Sequence, residues 1–228
     1  MPKTGKVIAI IQARLGSTRL PMKSLLCLRD VPVIDWVTRR LGQAARLDGI
    51  MVAVPDTHLD RVLLDHLQRR GVPCVAGSED DVLARFCLAA RKADAGRVVR
   101  VCADNPLIWG GAVDRLVDFY DQGGWDYAYN HIPRNNQWPD GLGAEILSRE
   151  LLEELDAKAT QTSQREHCLN YIWDNAVSYK IGTFDPEEDW LRRPDLKLDM
   201  DRPDDFCRLA LKPITPEMDA REIVRVFG

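Results

Sequence analysis

Alternation between short apolar runs and longer amphipathic stretches is the sequence feature that most restricts the fold of this chain. Four apolar runs in the first half have the length of strands, and the first two are apolar enough to be buried on both faces. The strands are predicted at residues 7–11, 50–54, 73–76 and 97–102, and the helices at residues 33–45, 59–70, 80–93 and 112–120. Four strand–helix units in succession predict an α/β fold with a mainly parallel sheet and helices on both faces.

The pattern becomes irregular after residue 120. Further strands are predicted within 126–133, 177–182 and 196–200, and further helices at 151–159 and 164–173. Residues 130–143 are rich in Asn, Pro and Gly, which predicts a loop, and we expect this loop to face the substrate. We expect one domain over residues 1–228, divided into segments at residues 122 and 195.

Charge and composition exclude several classes of protein. A net charge of −4 over 228 residues and a pI near 5.6 argue against binding to nucleic acid or to an anionic membrane surface. No apolar run approaches the ~20 residues that cross a bilayer, and the N-terminus lacks the apolar core of a signal peptide, so we expect a cytoplasmic protein without membrane insertion. The cysteines form no C-x-x-C pair and are expected to be buried thiols rather than zinc ligands or disulfides. They are Cys27, Cys74, Cys87, Cys102, Cys168 and Cys207.

The stretch IIQARLGSTRLPMKSL, residues 10–25, places three cations directly behind the first predicted strand. Arg14, Arg19 and Lys23 supply the positive charge, and a glycine, two hydroxyl residues and a proline lie between them. Ligands of parallel sheets bind at the carboxyl ends of the strands, and side-chain cations bind phosphate. The loop matches neither G-x-G-x-x-G nor G-x-x-x-x-G-K-[ST]. It therefore predicts a polyphosphate site that relies on side-chain charge, the alternative being a solvated basic loop.

Aspartates in two places are candidates for holding the metal ion that polyphosphate chemistry requires. Asp104 follows the fourth predicted strand, and Asp199 and Asp201 are two residues apart, which in a strand places both carboxylates on one face. Mg²⁺ takes few carboxylates and keeps several waters. The alternative is that Asp104 is a turn residue whose carboxylate caps local amides, and that the aspartates within 199–205 begin a helix.

The same basic loop resembles the signature Q/P-A-R-x-x-S-x-R-L-P-x-K of the cytidylyltransferases that activate acidic sugars. This family includes the acylneuraminate and 3-deoxy-manno-octulosonate cytidylyltransferases, and the resemblance is strongest to the SpsF-like group of spore-coat polysaccharide biosynthesis. The stretches GSEDDVLARF, RVCADNPLI and LDMDRPDDF follow in the family's order, so the resemblance spans nearly the whole chain. It implies a nucleotidyltransferase fold, Rossmann-like and related to the GT-A glycosyltransferases, with a small irregular insertion and with CTP bound over the first strand and its loop. It also implies a nucleotide-binding half at residues 1–122, an acceptor-binding and dimerisation segment at 123–195, and a metal-binding strand with C-terminal helices at 196–228.

The resemblance also implies roles for individual residues. Asp104 matches the Asp of the family's D-x-P motif and Asp201 that of its D-T-P-E-D motif, both metal ligands there, and Asp199 matches the first Asp of a D-x-D version. The catalytic candidates are thus Arg19, Lys23, Asp104 and Asp201. The segment that begins near Ser78, the expected cap of the third helix, lies beside the cytosine and ribose in the family. The nucleotide-binding candidates are Gln12, Ala13, Arg14, Gly16, Ser17, Arg19, Lys23, Ser78, Asp81 and Arg85.

Candidates for the acceptor side come from the second half of the resemblance. They are Asn130, Gly141, Glu145, Arg165 and His167. Gly141 and Glu145 match the group's G-L-D-x-E pattern, but Gly143 stands where that pattern has Asp. Arg165 and His167 match the R-E-H of a helix that lines the sugar side in the family, and an arginine suits an acidic acceptor.

These inferences combine into an enzyme that couples CTP to an acidic sugar of the nonulosonate kind, or to a related acid, with Mg²⁺ as cofactor. Its products are expected to be a CMP-activated sugar for cell-surface glycans and pyrophosphate. Two alternatives stay open: a GT-A-like glycosyltransferase that consumes a nucleotide sugar, and a nucleotidyltransferase with a non-sugar acceptor such as a phosphonate. A homodimer is also expected, because members of the family dimerise through the irregular segment and residues enriched in interfaces occur there. These residues are Trp125, Tyr127, Tyr129, Ile132 and Trp138.

Overall fold

The computed structural model describes residues 5–228. The expectation that the N-terminus carries no signal peptide falls partly on residues 1–4, which lie outside the described residues. The strands are β1 Lys6–Gln12, β2 Cys27–Leu28, β3 Val31–Pro32, β4 Gly49–Pro55, β5 Cys74–Gly77, β6 Ala95–Cys102, β7 Tyr127–Tyr129, β8 Glu145–Ser148 and β9 Ile181–Gly182. The helices are α1 Val33–Leu41, α2 Arg61–Arg69, α3 Val82–Lys92, α4 Gly110–Gly123, α5 Arg149–Lys158, α6 Thr162–Glu166, α7 Asn170–Asp174, α8 Pro203–Ala210 and α9 Ala220–Phe227. Short 3-10 turns lie at Lys23–Leu25, Ala176–Ser178 and Asp189–Leu191.

Seven of these strands form one sheet in the order β5-β4-β1-β6-β8-β7-β9, and β2 and β3 form a separate antiparallel pair. The neighbours β5, β4, β1 and β6 are parallel, whereas β8 runs antiparallel to both β6 and β7. The mainly parallel α/β sheet predicted from the sequence is confirmed. The four strands predicted in the first half coincide with β1, β4, β5 and β6 to within two residues at each end.

The central strand β1 explains why helices cover both faces of the sheet. Val7, Ala9 and Ile11 pack with residues of α1, α2 and α4 on one face. Ile8 and Ile10 pack with residues of α3 and α5 on the other face. Side chains alternate along a strand, so an uninterrupted apolar run is buried on both sides. The C-terminal helices α8 and α9, which the sequence also predicts, contribute to a third apolar cluster.

The second half departs from the sequence prediction. Residues 196–200 form no regular strand, and only an isolated bridge joins Lys197 to Asp140. The single helix expected at 164–173 is instead two five-residue helices, α6 and α7. Strand β8 is absent from the prediction, because four residues after an irregular loop show too short a pattern. Since β8 pairs with β6, the sheet continues across the boundary expected at residue 122, and the division into functional segments stays a prediction.

Two expectations about side chains are wrong. Tyr127, Tyr129 and Trp138 are each at most 1 % exposed within the single chain, so they cannot form the core of a dimer interface. The homodimer therefore stays a prediction without an assigned surface. Of the six cysteines, Cys87 and Cys168 are buried, whereas the other four are exposed or partly exposed thiols. Among residues 5–228, no helix is both long and apolar enough to span a membrane.

Candidate active site

The loop after β1 is fixed by a buried leucine and by its own backbone. Leu15 is 1 % exposed, and its amide donates to Oδ1 of Asp60 at 2.7 Å. The amide of Met22 donates to the carbonyl of Leu15 at 3.0 Å and closes the loop. Met22 has a φ of 60°, in the left-handed region, and Lys23 then begins a 3-10 turn. The backbone therefore determines where the cations of the loop lie, although its arginines are exposed.

Lys23 joins two of the aspartates that the sequence assigns to metal binding. Its Nζ lies 2.7 Å from Oδ2 of Asp104 and 3.3 Å from Oδ1 of Asp201. Nη2 of Arg19 lies 3.2 Å from Oδ2 of Asp201. Asp104 follows β6, and Asp201 precedes α8, so the cluster is built from three distant parts of the chain. The carboxylate of Asp104 contacts a loop cation, which a role as a local turn cap does not predict.

The ammonium of Lys23 keeps its charge near neutral pH. Burial alone would lower the pKa of Lys23, but the carboxylates of Asp104 and Asp201 outweigh burial and raise that pKa above its ordinary value. The alternative reading, that aspartates within 199–205 begin a helix, describes Asp205. Its Oδ2 accepts from the amides of Asp201 and Arg202, just before α8, at 3.0 Å each. Because Asp205 caps α8, the side chain of Asp201 is left to contact the basic loop.

A second pair of aspartates lies beside this cluster. Oδ1 of Asp199 is 2.9 Å from Nζ of Lys197. The carbonyl of Asp140 accepts from the amide of Leu198 at 2.8 Å, which brings the loop at 130–143 against the segment before α8. Burial, and then the charge of Asp199, raise the pKa of Asp140 to about 6. Asp140 therefore carries a carboxyl that can exchange a proton near neutral pH.

The cluster fits a divalent ion through two carboxylates rather than three. Among residues 5–228, no group of three His, Cys, Asp or Glu side chains is arranged to hold a metal ion. Asp104 and Asp201 nevertheless meet at one positive charge, the ammonium of Lys23, so this position stabilises a cation. One or two carboxylates are what Mg²⁺ takes from a protein when waters and phosphate oxygens complete its coordination. Asp199 is engaged with Lys197 instead, so the structure does not bring the predicted set of three together.

A pocket of about 150 Å³ opens beside the cluster. Its lining combines the cations of the basic loop with polar side chains, so it suits phosphate groups. It contains most of the residues predicted for the triphosphate, whereas Ala13 and Gly16 are outside its lining. The pocket is lined by Gln12, Arg14, Ser17, Thr18, Arg19, Lys23, Ser24, Cys102, Ala103 and Asp104.

Gln12 is oriented by a row of side chains that crosses four strands. Nη2 of Arg100, on β6, donates to Oε1 of Gln12 at 3.3 Å, and Nη1 of the same guanidinium pairs with Glu145 on β8. Tyr127, on β7, donates its hydroxyl to the other oxygen of Glu145. Because a guanidinium can only donate, Arg100 fixes the Gln12 amide with its NH₂ group turned away from the arginine. Gln12 lines the pocket, where it can thus offer a donor to a ligand.

This network corrects the acceptor-side role expected for Glu145, whose side chain is 5 % exposed. Burial opposes its charge, but Arg100 holds the pKa of Glu145 below its ordinary value. Nε2 of His131 lies 3.9 Å from Glu145, and burial lowers the pKa of His131, so this imidazole is neutral at pH 7. The charge of Glu145 is therefore balanced inside the protein and is not free for an acceptor.

Other residues of the loop shape its backbone. Asn130 is fully buried, and its Nδ2 and Oδ1 are both bonded to backbone groups at 2.9 Å, so it is structural rather than substrate-facing. Gly141 has a φ of 93°, and a Cβ there would lie 2.8 Å from the amide nitrogen of Asp199. A Cβ on Gly143 would overlap the carbonyl oxygen of Asn130. On this backbone no side chain fits at 143, where glycine stands instead of the Asp of the SpsF-like pattern.

The candidates at the start of α3 are paired with one another. The carboxylate of Asp81 caps α3 through an amide of its first turn at 2.9 Å, and it also accepts from Nε of Arg165 at 2.9 Å. Ser78, the cap expected from the sequence, instead accepts from the amide of Asp81 at 3.1 Å. Arg165 is thus paired with a carboxylate of the protein, and its contact with an acidic acceptor stays a prediction. His167 is exposed between α6 and α7.

Arg85 is the exception in this region. It is 1 % exposed, and burial, followed by the charge of Arg14, lowers the pKa of its guanidinium. Its Nη1 donates to the carbonyl of Glu79 at 3.3 Å, but Nε and Nη2 have no hydrogen-bond partner in the described part of the chain. Buried polar groups nearly always find a partner, so these two nitrogens are an exception, and the nucleotide-binding role of Arg85 stays a prediction.

A family model described as Cytidylyltransferase matches residues 8–213, which include the basic loop, Asp104 and Asp201. The chain belongs to the cytidylyltransferase family. It is accordingly an enzyme of the CTP-dependent nucleotidyltransferase class. Two relatives align with 88 % of this cytidylyltransferase. An uncharacterized protein of Methanocaldococcus jannaschii, MJ1063, is 33 % identical over 80 % of its own length, and the spore coat polysaccharide biosynthesis protein SpsF of Bacillus subtilis is 28 % identical over 83 %.

Solved structures confirm the nucleotidyltransferase fold. A cytidylyltransferase from Leptospira borgpetersenii is similar over 98 % of this chain and 94 % of its own, with a TM-score of 0.87 and 27 % identity. A CMP:2-keto-3-deoxy-manno-octonic acid synthetase complexed with CTP is similar over 90 % of this chain and 97 % of its own, with a TM-score of 0.65 and 17 % identity. The second likeness shows the fold alone.

Two residues of the cytidylyltransferase site, Arg100 and Asp140, are not among the sequence candidates. Arg100 interrupts the apolar strand RVVRVC, and a charge in a buried strand indicates a partner inside the protein. That partner, Glu145, is 45 positions away and could not be chosen from the sequence. Asp140 lies in WPDG, within the loop expected to face the substrate, and only its packing against the segment before α8 distinguishes it from a turn residue.

Proposed function

We propose that this cytidylyltransferase transfers CMP from CTP to a hydroxyl of an acidic sugar of the nonulosonate kind, or of a related acid, and releases pyrophosphate. The proposal includes Mg²⁺ as cofactor and a cytoplasmic place in the synthesis of cell-surface glycans. The observation that carries it is the junction of Lys23 with Asp104 and Asp201 beside a pocket lined by the cations of the basic loop. The names of SpsF and of the CTP-bound synthetase support it, since they concern polysaccharide biosynthesis and activation of an acidic sugar.

The cations of the pocket suit a triphosphate. Arg19 and Lys23 line it, and charge-assisted hydrogen bonds to phosphate are about twice as strong as neutral ones. In the reaction the acceptor oxygen bonds to the α-phosphorus, the bond from that phosphorus to the bridging oxygen breaks, and pyrophosphate leaves with the electron pair. Arg19 and Lys23 therefore stabilise the negative charge of both the bound triphosphate and the departing pyrophosphate.

Asp104 and Asp201 are the residues that would hold Mg²⁺. When bound, the ion neutralises charge on the phosphate oxygens. The protein supplies two carboxylates from separate segments and holds the segments together, because the amide of Met200 donates to the carbonyl of Asp104 at 2.8 Å. This backbone contact positions Asp201, one residue later, opposite Asp104.

The proton of the acceptor hydroxyl needs a base. Asp199 is engaged with Lys197, and Asp201 is engaged with the basic loop. We assign the step to Asp140, whose pKa of about 6 lets its carboxylate take up a proton near neutral pH. Asp140 also belongs to the irregular loop that is expected to face the acceptor.

A screen of pyrophosphate release tests the proposal. The protein is incubated with Mg²⁺, each of the four ribonucleoside triphosphates, and acidic sugars, neutral sugars or phosphonates as acceptors. We expect release with CTP and an acidic sugar. A preference for UTP, or turnover of a finished nucleotide sugar, would contradict the proposal and favour a glycosyltransferase or another nucleotidyltransferase. If pyrophosphate is released only with phosphonates, the acceptor is a phosphonate rather than an acidic sugar, and the proposed transfer of CMP from CTP is kept.

A matched pair of variants assigns the activity to this cluster. Asp201→Asn should abolish most of the release. Asp204→Asn makes the same change three positions away, on an exposed residue of the first turn of α8, and should keep activity close to that of the wild type. Equal activity in the two variants would show that the reaction does not use Asp201.

A further inference from the structure

The ammonium of Lys23 lies between the carboxylates of Asp104 and Asp201, the two residues that would hold a metal ion. Its side chain is 14 % exposed, and its ammonium is 2.7 Å from Asp104 and 3.3 Å from Asp201. The side chains of the two aspartates are 23 % and 25 % exposed, so solvent and ions reach them. The ammonium thus stands where a divalent ion would bind the same oxygens.

We infer that Lys23 is a resident cation: it holds the metal position until metal and triphosphate arrive, and it makes their binding cooperative. The inference rests on the proposed function, because it takes CTP and a divalent ion as the ligands of this cluster. It goes further by assigning to Lys23 a second role, in competition with the metal, besides its contact with phosphate.

Charge explains why the two ligands depend on each other. A divalent ion and an ammonium repel each other, so the ion cannot take the carboxylates of Asp104 and Asp201 while Lys23 contacts them. Lys23 cannot simply withdraw, since a part-buried ammonium without a partner is costly. Phosphate oxygens in the adjoining pocket, which Lys23 also lines, supply that partner. The triphosphate thereby releases the carboxylates for the metal, and the metal releases the ammonium for the phosphates.

Arg19 takes part in the same exchange from the surface. Its Nη2 is 3.2 Å from Oδ2 of Asp201, and its side chain is 58 % exposed. An ion pair that is this exposed is weak, so Arg19 can leave Asp201 for a phosphate at little cost. Lys23, which is part-buried and contacts both aspartates, is therefore the residue that decides whether a metal binds alone.

Binding of Mn²⁺ without nucleotide tests the inference, with the free ion followed by its paramagnetic resonance signal. We expect Lys23→Met to bind Mn²⁺ at least about tenfold more tightly than the wild type. The reason is that the charge-assisted hydrogen bond from Lys23 to Asp104 no longer competes with the ion for the carboxylate. Lys6→Met is the matched control. It makes the same change at a lysine that pairs with Asp94 at the amino end of β1, away from the cluster, and we expect a change below about twofold.

Calorimetric titration of CTP with and without Mn²⁺ gives a second readout. In the wild type, Mn²⁺ should raise the affinity for CTP. Binding linkage is reciprocal, so in Lys23→Met this factor should fall by about as much as the affinity for Mn²⁺ alone rises. Lys23→Gln, which keeps a polar group without the charge, provides the same comparison if Lys23→Met does not give a cooperative thermal transition.

The outcomes separate this inference from the proposed function. Unchanged or weaker binding of Mn²⁺ alone in the folded Lys23 variant would overturn the resident cation, even if the wild type releases pyrophosphate from CTP. If the wild type neither binds CTP nor releases pyrophosphate, the proposed function fails first and the inference fails with it. Tighter Mn²⁺ binding in the variant, together with a lower coupling to CTP, supports both.

Discussion

Nζ of Lys23 and Oδ2 of Asp104 lie 2.7 Å apart, although 81 positions of sequence separate the two residues. The contact connects the loop after β1 to the end of β6, its neighbour in the sheet. Parallel neighbours end at the same edge, so a loop cation and a strand-end carboxylate are brought together there. Because the two side chains balance each other's charge, we expect a substitution of either one to alter both phosphate binding and metal binding.

Removing a loop cation should weaken nucleotide binding. We expect Arg19→Ala and Lys23→Ala each to lower the affinity for CTP with saturating Mg²⁺ by tenfold or more, since a charge-assisted phosphate contact contributes roughly 1.5 to 3 kcal/mol. Calorimetric titration measures the effect. Lys6→Ala is the control, because Lys6 pairs with Asp94 at the amino end of β1, whereas the loop cations follow its carboxyl end. Unchanged affinity in both loop variants would exclude the loop from the site.

Neutralising an aspartate of the cluster should affect turnover more than binding. We expect Asp104→Asn and Asp201→Asn to lower kcat by about a hundredfold or more while the affinity for CTP changes much less, because the charge that they help to stabilise develops in the transition state. The measurement is kcat over a Mg²⁺ titration, beside Asp204→Asn. Near-normal turnover at low Mg²⁺ in either variant would make that aspartate a turn or cap residue.

Asp140 should destabilise the fold at neutral pH. Its folded pKa of about 6 is above the ordinary value of 3.8, so folding favours the protonated form, and stability falls as pH rises from about 4 through 6. We expect Asp140→Asn to raise Tm at pH 7, to change Tm little at pH 4, and to lower kcat. Thermal unfolding at both pH values in metal-free buffer measures this, and a lower Tm at pH 7 would be the opposite result.

Gln12 should act as a hydrogen-bond donor. In Gln12→Glu the new carboxylate still faces Arg100, so Tm should stay the same or rise, but the pocket loses an NH₂ donor and gains negative charge. We expect kcat/KM to fall tenfold or more for this reason. Steady-state kinetics and thermal unfolding are compared on the same preparation. Activity equal to that of the wild type would show that the Gln12 amide makes no contact in the reaction.

Gly143 should tolerate no side chain. Since its Cβ would overlap the carbonyl oxygen of Asn130, we expect Gly143→Ala to lower the free energy of unfolding by about 1–3 kcal/mol, and Gly143→Asp by at least as much. Gly16→Ala is the matched control, because a Cβ at position 16 has no atom within 4 Å. Denaturant unfolding measures all three variants. Equal stability of Gly143→Ala and Gly16→Ala would show that the loop relaxes.

The first half of the fold could be predicted because each of its strands carries a complete local signal. The apolar run from Val7 to Ile11 is uninterrupted, which is typical of a strand buried on both faces, and β1 lies where that pattern predicts. The run LKLDM at 196–200 also alternates like a strand, yet it forms only one bridge, between Lys197 and Asp140. Its pattern is local, whereas a strand needs a continuous partner, and the irregular loop beside it offers none.

The site could be predicted in part for the same reason. The carboxylate of Glu145 and the guanidinium of Arg165 look available in the sequence, but each is neutralised inside the fold, by Arg100 and by Asp81. A residue type shows what a side chain can bind. It does not show which partner the fold has already placed beside it.

The sequence by itself determined the α/β sheet, the basic loop behind its first strand and the membership of the cytidylyltransferase family, because apolar periodicity and short motifs are properties of neighbouring residues. The tertiary structure alone decided that Asp104 and Asp201, rather than Asp199, meet Lys23, and that Asp140 lies against the segment before α8. These contacts join segments that are distant in sequence. The distances between these side chains follow from strand order and helix packing, which place the ends of several strands at one edge of the sheet.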